Sequence, residues 1–411
     1  MRMPVNKGAV ITGSRNLDKL VQVEEIPYPD LEDDMFILKP VASAVNPTDW
    51  KHIYPESFSS SVLASIFRKL GLGIGVIERP LASTGSCIGW FIGKGFTRFQ
   101  KGNVVGSDVS GIVEEVGSKV TKVKKGDIVA VSLHGGINKN GGFSNYVKVS
   151  EKPAIKFSPS MILKEALAPG HYPGSKINSF ETAASVALGL KTVALSFHYH
   201  LEIPRESAKN KDDYVLIWGG ATATGVLAIQ IAKLVYGIKV ITTASKKNHA
   251  ALLSLGADKV FDYKDSDITD KLKKAGEHKI KYAMDCVSTP ETFQSVYDAT
   301  EGTENPVINN LLFLTEKDIS TKSGRKVNIT FTDGYLTDGR VHFGAKALDQ
   351  MMQSFLDFWN NYLPPVLGKI QTASLEVLPA GLESANEGLK LLIENKVSGC
   401  KVVFRNSGTL A

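Results

Sequence analysis

The stretch 213–234 constrains the fold most, because it predicts a strand, a glycine turn and a helix in immediate succession. Its run 214–218 is continuously apolar and of strand length, as expected for a strand buried on both faces of a parallel sheet. Two glycines interrupt the run. From Ala223 apolar residues then recur at helical spacing until Gly237, which is placed to cap the helix. The stretch therefore predicts the first strand and helix of an α/β domain.

The residues that follow repeat this pattern. The sequence predicts a β-branched strand over 238–243, a helix up to Leu255 with Gly256 after it, and a strand around Val260. Later apolar runs predict three more strands, over 280–284, 307–314 and 327–331. Strands that alternate with helices in this way predict an α/β fold with a doubly wound parallel sheet of the Rossmann type.

The glycine turn carries an incomplete dinucleotide-binding fingerprint. The three glycine positions of GxGxxG fall on Gly220, Thr222 and Gly225, so the middle glycine is missing. The N–H groups of the first helical turn still point at a pyrophosphate, and the Thr222 hydroxyl is expected to add a donor. The residues predicted to cradle the pyrophosphate are Gly220, Ala221, Thr222, Ala223, Thr224 and Gly225.

The end of the second predicted strand indicates which cofactor to expect. An NAD site has an acidic residue about 20 residues past the first glycine, where it binds the ribose 2′-hydroxyl. This chain has Ser245, Lys246 and Lys247 there, whose hydroxyl and ammonium groups suit a 2′-phosphate. The sequence therefore predicts NADPH as the cofactor. The alternative is a solvated loop that merely carries two lysines.

Composition narrows the class of protein and its partners. With 411 residues, of which 43% are hydrophobic, the chain is long enough for two packed domains of ordinary size. Its net charge of +6 comes from 48 basic and 42 acidic residues without a basic cluster, which argues against nucleic acid as a partner. Its 3 cysteines are scattered, and no run has the roughly 18 uninterrupted apolar residues of a membrane span. We expect a cytoplasmic monomer or homodimer that binds a small-molecule substrate.

Two polar motifs interrupt the N-terminal part of the chain, which is otherwise rich in predicted strands such as 8–12 and 35–44. The first motif, 46–51, has the sequence NPTDWK, and the second, 106–108, has the sequence GSD. With these motifs the chain closely resembles the medium-chain dehydrogenase/reductase superfamily, in its zinc-less quinone-oxidoreductase and fungal trans-enoyl-reductase-like branch. The resemblance covers most of the chain and implies a GroES-like, β-rich catalytic domain in addition to the Rossmann domain.

The resemblance also bears on metal binding. In zinc-dependent members, a Cys-His-Thr-Asp run and a Gly-His-Glu run supply the zinc ligands. This chain has Asn46, Ser107 and Asp108 in place of the metal-binding Cys, His and Glu. Because no thiolate or imidazole stands at these places, a tetrahedral zinc site has too few good ligands. We therefore predict no catalytic metal, and the pair His198 and His200 has no third ligand near it in the sequence.

The resemblance implies roles for single residues. Asn46 matches a residue close to the nicotinamide amide, and Lys51 matches a lysine near the substrate that donates a hydrogen bond or a proton to a developing oxygen anion. The alternatives are that Asn46 only fixes a turn and that Lys51 is an exposed lysine. Cys286 is interpreted as a small buried hydrophobe. The remaining residues expected at the cofactor are Thr192, Tyr263, Val287 and Ser288.

The same resemblance predicts how the chain divides into domains. Residues 1–177 form the catalytic domain, 178–340 form the NADP-binding domain, and 341–411 return to the catalytic domain. An insertion at about 52–105 exceeds what the family needs. We interpret it first as a poorly ordered insertion, with a substrate lid or a partner-binding or membrane-surface segment as alternatives. Lys401, in the returning segment, is interpreted as a packing residue.

Together these predictions describe a zinc-independent, NADPH-dependent oxidoreductase. We expect it to transfer hydride to an activated double bond, such as the β-carbon of an enone or enoyl group, with hydrogen bonds stabilising the developing oxygen charge. One alternative is an NADPH-dependent aldehyde or quinone reductase. Another, from a different class, is a non-enzymatic nucleotide-binding protein.

Overall fold

The structure is a computed structural model that describes residues 4–53, 100–162, 165–338 and 349–407. Most of the predicted insertion, 54–99, therefore lies outside the described residues. The chain divides into two compact units. Over the described residues, one unit takes in 4–53, 100–162, 165–188 and 374–407, and the other takes in 189–338 and 349–373. The domain bounds drawn from the sequence stay a prediction.

The strands within the described residues are, in chain order, β1 (Asn6–Ile11), β2 (Val21–Ile26), β3 (Met35–Ala44), β4 (Asp108–Val116), β5 (Ile128–Ser132), β6 (Val147–Ser150), β7 (Ile155–Phe157), β8 (Gly170–Tyr172), β9 (Tyr214–Trp218), β10 (Lys239–Thr243), β11 (Lys259–Phe261), β12 (Ile280–Asp285), β13 (Val307–Asn310), β14 (Asn328–Phe331), β15 (Ser374–Val377) and β16 (Cys400–Arg405).

The helices are α1 (Pro47–Ile53), α2 (Phe180–Ala184), α3 (Ala187–Ala194), α4 (Ala223–Ile231), α5 (His249–Ser254), α6 (Ile268–Ala275), α7 (Pro290–Ala299), α8 (Asp349–Asp357), α9 (Pro364–Leu367) and α10 (Ser384–Ile393). Three of them continue into π-helical turns, namely α3 into Leu195–His200, α4 into Ala232–Tyr236 and α8 into Phe358–Tyr362. Short 3₁₀ turns span Leu17–Lys19, Ser207–Asn210, Lys246–Asn248, Glu316–Asp318 and Gly334–Asp338.

The unit formed by 189–338 and 349–373 contains a six-stranded parallel sheet in the order β11-β10-β9-β12-β13-β14. This is the strand order of a dinucleotide-binding sheet, so the predicted Rossmann architecture is confirmed. The central strand β9 is buried at all five residues, as its continuous apolar run predicts. The helical segment after it ends at Gly237, whose φ of 61° is left-handed, as predicted for a glycine cap.

One helical segment is long and apolar enough to span a membrane. Within the described residues this is Phe180–His200, with 21 residues and a mean hydropathy of 1.2 in its most apolar window. Of that window 89% is buried inside the protein. A helix that is hydrophobic all round and buried has the properties of a core helix, and length and composition alone do not make it a membrane span.

The other unit is built mainly from an eight-stranded sheet in the order β7-β5-β4-β3-β16-β15-β8, with β6 paired to β3. Strand β16, near the C-terminus, pairs antiparallel with β3, which in turn pairs with β4. A core cluster contains buried residues from both ends of the chain, and the rings of Phe143 and Phe404 meet in it at 5.0 Å between centroids. The pairing of β3, β4 and β16 brings residues distant in sequence to one place.

The two histidines discounted as metal ligands lie in the π-helical turn after α3. His198 Nδ1 lies 2.9 Å from the Tyr236 hydroxyl, and its Nε2 lies 3.1 Å from Asp357 Oδ2. Protein partners therefore occupy both of its ring nitrogens. Burial lowers the pKa of His200 to about 4, so its imidazole is neutral at neutral pH. The His198 contacts therefore connect the π-helical turns after α3 and α4 to the end of α8.

Candidate functional site

The glycine turn after β9 is formed by residues that pack too closely for side chains. A Cβ on Gly220 would lie 2.1 Å from Thr242 Oγ1, and a Cβ on Gly225 would lie 2.3 Å from the Gly219 carbonyl oxygen. Gly219 itself has a φ of +81°, which favours glycine. The predicted turn residue Ala221 follows directly. The first and third positions of the fingerprint are thus glycines because β9, β10 and α4 pack against each other there.

Thr222 occupies the middle position of the fingerprint, where a glycine is missing, and it caps helix α4. Its hydroxyl oxygen accepts from the Gly225 N–H at 2.9 Å, and its proton is donated to the Gly219 carbonyl at 2.8 Å. The hydroxyl therefore fixes the turn, in contrast to the expected use of its proton on a phosphate. The main-chain N–H groups of Ala223 and Thr224 lie in the first turn of the helix, where amides have no intrahelical partner. These amides suit a pyrophosphate.

Close packing at Gly225 leads to a testable prediction. We expect Gly225→Ala to lower the free energy of unfolding by about 1–3 kcal/mol, because the new methyl group must push the turn away from the helix. The same displacement is expected to weaken NADPH binding. Denaturant unfolding and an NADPH titration measure the two effects.

Gly368 offers a matched control for that substitution, because nothing lies within 4 Å of a Cβ placed there. Gly368→Ala is therefore expected to leave both stability and NADPH affinity close to those of the wild type. Equal effects of the two substitutions would contradict the packing argument.

The groups predicted to meet a 2′-phosphate follow β10. Ser245 is half-buried, and Lys246 and Lys247 are exposed in the short turn after it. The strand end is tied to the glycine turn, because the Gly219 N–H donates to Thr243 Oγ1 at 3.0 Å. The glycine turn and the two lysines therefore lie at the same edge of the sheet, as an adenosine 2′-phosphate and its pyrophosphate would require.

A rigid turn follows the neighbouring strand β12 at this edge. The Asp285 carboxylate accepts from the main-chain N–H groups of Val287 and Ser288, each at 2.9 Å, and from the Thr292 hydroxyl at 2.7 Å. Burial raises the pKa of Asp285 to about 6, although these hydrogen bonds favour its charged form. The Val287 side chain is 41% exposed and Tyr263, beyond β11, is 46% exposed. Both thus offer apolar surface at the sheet edge that holds the glycine turn.

Cys286 and Thr192 were also singled out in the sequence, and the structure shows the surroundings of both. Burial raises the pKa of the Cys286 thiol well above its usual range, so the thiol stays protonated and is a poor nucleophile. The protonated thiol fits the interpretation of Cys286 as a hydrophobe, but the residue is half-buried, in contrast to the expected full burial. Thr192 is half-buried in α3, between the fully buried residues Lys191 and Val193.

The unit that holds β3, β4 and β16 contains a buried group of polar side chains, called here the polar cluster. It contains residues of the two polar motifs, 46–51 and 106–108, and one residue of β16. Its members, all at most 6% exposed, are Asn46, Asp49, Ser107, Asp108 and Lys401.

Hydrogen bonds and one ion pair connect the polar cluster. The Lys401 ammonium donates to Asn46 Oδ1 and lies 3.4 Å from Asp108 Oδ2. Asp49 accepts from the Ser107 hydroxyl at 2.7 Å and from the main-chain N–H of Asn46 at 2.8 Å. Asn46 thus does more than fix a turn, because its side chain contacts Lys401 of β16 and Asp108 of β4.

Burial dominates the electrostatics of the two carboxyl groups. It raises the pKa of Asp49 to about 7 and that of Asp108 to about 6, although the Lys401 ammonium lowers both values. Lys401 therefore does more than pack, which was its interpretation from the sequence. A lysine directly before the apolar residues 402–404 of β16 was the available signal for a polar partner, because lysine is seldom buried unless it is paired.

Lys51 lies on the same helix as one member of the polar cluster. It lies on α1 two residues after Asp49, and residues two apart on a helix do not face each other. Its ammonium lies 5.9 Å from the centroid of the Trp50 ring. The side chain is half-buried, and burial lowers its pKa to about 8. Lys51 is therefore able to give up a proton near neutral pH.

Comparisons with known proteins agree with this geometry. A family model described as zinc-binding dehydrogenase matches residues 223–308, and one described as alcohol dehydrogenase GroES-like domain matches residues 81–159. An uncharacterized protein of Saccharomyces cerevisiae is 30% identical over 404 residues, which are 94% of each chain. A trans-enoyl reductase of Alternaria alternata is 30% identical over 393 residues, 94% of this chain and 95% of the relative.

Solved structures show the same fold at low sequence identity. A quinone oxidoreductase from Coxiella burnetii aligns with a TM-score of 0.61 and 22% identity, over 97% of this chain and 99% of the other. The Escherichia coli quinone oxidoreductase complexed with NADPH gives 0.59 and 17%, over 98% and 100%. A GroES-like domain with a Rossmann domain is thereby confirmed. The chain is an NAD(P)-dependent oxidoreductase and belongs to the medium-chain dehydrogenase/reductase superfamily, in its zinc-less quinone-oxidoreductase and trans-enoyl-reductase-like branch.

Proposed function

We propose that the chain reduces an activated carbon–carbon double bond with NADPH and without a catalytic metal. The observation that carries the proposal is the glycine turn after β9, with Ser245, Lys246 and Lys247 at the end of the adjacent strand β10. The turn suits a pyrophosphate, and the hydroxyl and ammonium groups suit a 2′-phosphate. The named activity of the Alternaria alternata relative supports a double bond as the group reduced.

The polar cluster does not fit a zinc ion. Its side chains supply amide, hydroxyl and carboxylate oxygens, whereas tetrahedral zinc sites are built mainly on thiolates and imidazoles. The Lys401 ammonium already contacts Asn46 and Asp108. A metal ion at this place would have to displace the positive charge that compensates Asp108. No step of the proposed reaction uses a metal.

Lys51 is the proposed proton donor. Bound NADPH supplies the hydride. When hydride reaches the β-carbon of a conjugated carbonyl compound, negative charge develops on the carbonyl oxygen and an enolate forms. Lys51, with its pKa lowered to about 8, donates a hydrogen bond or its proton to that oxygen. A conjugated substrate needs less stabilisation than a simple carbonyl because its charge is delocalised.

We also propose a cytoplasmic location. Among the described residues, Cys286 is a free thiol, as is usual in a reducing compartment. The aldehyde or quinone reductase alternative requires the same cofactor site and differs in the group that accepts the hydride.

The direct experiment follows the loss of NADPH absorbance with purified protein and a panel of enones, aldehydes and quinones. We expect the highest kcat/KM with the enones. Turnover confined to aldehydes or quinones would favour the alternative. The absence of turnover with every substrate, despite NADPH binding, would refute the proposed reaction.

A further inference from the structure

Lys401 is a buried charged residue placed by sheet pairing. It lies on β16, and it is only 6% exposed. The Val45 N–H donates to the Val402 carbonyl at 2.9 Å, which extends the pairing of β16 with β3. The Lys401 side chain therefore lies beside Asn46, the residue after Val45. Its position depends on backbone hydrogen bonds of a buried sheet.

The Lys401 ammonium and the Asp108 carboxylate compensate each other. Their closest atoms are 3.4 Å apart, and the second Asp108 oxygen accepts from the Leu188 N–H at 3.0 Å. A buried ammonium or carboxylate is costly unless it is paired and hydrogen-bonded. Asp49, the other charged group near this pair, uses its two oxygens for Ser107 and for the Asn46 main chain. The ammonium is thus the positive charge that these contacts place within the polar cluster.

The same ammonium fixes the Asn46 side chain. Asn46 Oδ1 accepts from Lys401, while its amide nitrogen donates to the Ala44 carbonyl at 3.2 Å and lies 3.5 Å from Asp108 Oδ2. Oxygen and nitrogen of the amide therefore have opposite partners, which permits one orientation only. Without the ammonium, Asn46 Oδ1 loses this donor and the buried Asp108 loses its positive partner.

We propose that the Lys401 ammonium, held between Asn46 and Asp108, is a built-in cation that organises the polar cluster. Lys401 is a positioning residue: it fixes the Asn46 amide and balances the Asp108 charge. Its effect on catalysis rests on the proposed reductase function, whereas its effect on the cluster does not.

Lys401→Met tests the charge at nearly constant side-chain volume. We expect kcat to fall about tenfold with little change in the KM for NADPH, because the Asn46 amide is displaced rather than lost. Lys396→Met is the matched control, since Lys396 is exposed and pairs on the surface with Glu394 at 2.7 Å. The control is expected to keep the wild-type kcat.

A second readout needs no substrate. Asp108 and Asp49 have pKa values of about 6 and about 7, above their ordinary value of 3.8, and the ammonium lowers both. Removing the ammonium raises them further, so folded Lys401→Met retains protons above pH 6 that the folded wild type has released. A native state that binds more protons than the unfolded chain loses stability as the pH rises. The deficit in Tm of Lys401→Met relative to the wild type is therefore expected to widen above pH 6.

Chemical rescue identifies the missing group. Lys401→Ala lacks three carbons and the nitrogen of the side chain, which propylammonium supplies. We expect propylammonium, and not the uncharged propan-1-ol, to raise the Tm of Lys401→Ala. Equal rescue by both compounds, or a Lys401→Met protein with wild-type kcat and a wild-type dependence of Tm on pH, would overturn the proposal. If no substrate is reduced at all, the reductase function fails, while the two Tm experiments still decide the role of Lys401.

Discussion

Replacement of Lys51 by methionine is expected to lower kcat/KM for an enone by about 100-fold or more, the usual contribution of a positioned general acid. The reason is that no metal polarises the carbonyl oxygen in the proposed reaction, so a single donor has a large share in stabilising the enolate. NADPH affinity is expected to stay unchanged, because Lys51 lies on α1, outside the strand ends that we propose as the dinucleotide site.

The pH dependence separates a proton donor from a residue that only fills space. Because burial lowers the pKa of Lys51 to about 8, its acidic form is lost as the pH rises through that value. We therefore expect wild-type kcat/KM to decline above pH 8 by about tenfold for each further pH unit. In Lys51→Met this decline should be absent.

A surface lysine of the same unit provides the control for Lys51. Lys7 is exposed on β1, and Lys7→Met is expected to have wild-type activity and the wild-type pH profile. If Lys51→Met retained kcat/KM within a factor of about three, Lys51 would not be the general acid.

The second large effect concerns the choice between NADPH and NADH. We expect the double variant Lys246→Ala with Lys247→Ala to bind NADPH about 100-fold more weakly. Each exposed ammonium is assigned about 1.5 kcal/mol of charge-assisted hydrogen bonding to the 2′-phosphate. NADH lacks that phosphate, so its affinity should hardly change. Isothermal titration with both cofactors measures the difference.

Two other lysines of the same unit, the half-buried Lys273 and the exposed Lys274, control for a general loss of positive charge. Lys273 and Lys274 lie in the last turn of α6, in the same unit, and their replacement by alanine is expected to weaken the two cofactors equally or not at all. An equal loss of NADPH and NADH affinity in the Lys246/Lys247 variant would contradict the assignment of a 2′-phosphate site.

Local sequence patterns predicted the Rossmann sheet well because its strands are buried on both faces. Strand β9 begins and ends where its apolar run does, and Gly237 caps the helical segment as expected. Patterns that lie within a single strand or helix were therefore sufficient to predict the Rossmann sheet. The one clear boundary error is at β13, which ends at Asn310 instead of continuing to 314. The Asn310 side-chain oxygen accepts from the main-chain N–H groups of Leu312 and Leu314, at 3.1 and 2.9 Å, and these hydrogen bonds turn the chain away from the sheet.

Features that depend on distant partners were harder to predict. Strand β15 has four residues and is defined by its pairing with β8 and β16, and such a short segment has little pattern of its own. Lys401 and Asn46 are 355 residues apart in the sequence, so no spacing rule indicates that they meet. Thr222 illustrates a third limit. Its hydroxyl was predicted to serve a phosphate, whereas the cap of α4 uses it.

The most direct measurement uses NADPH that carries deuterium at the transferred position of the nicotinamide, with an enone substrate and a metal chelator present. The product is analysed by NMR for the carbon that receives the label. The account predicts deuterium at the β-carbon and an unchanged rate in the chelator. Deuterium at the carbonyl carbon, or a reaction abolished by the chelator and restored by zinc, would contradict metal-free reduction of an activated double bond.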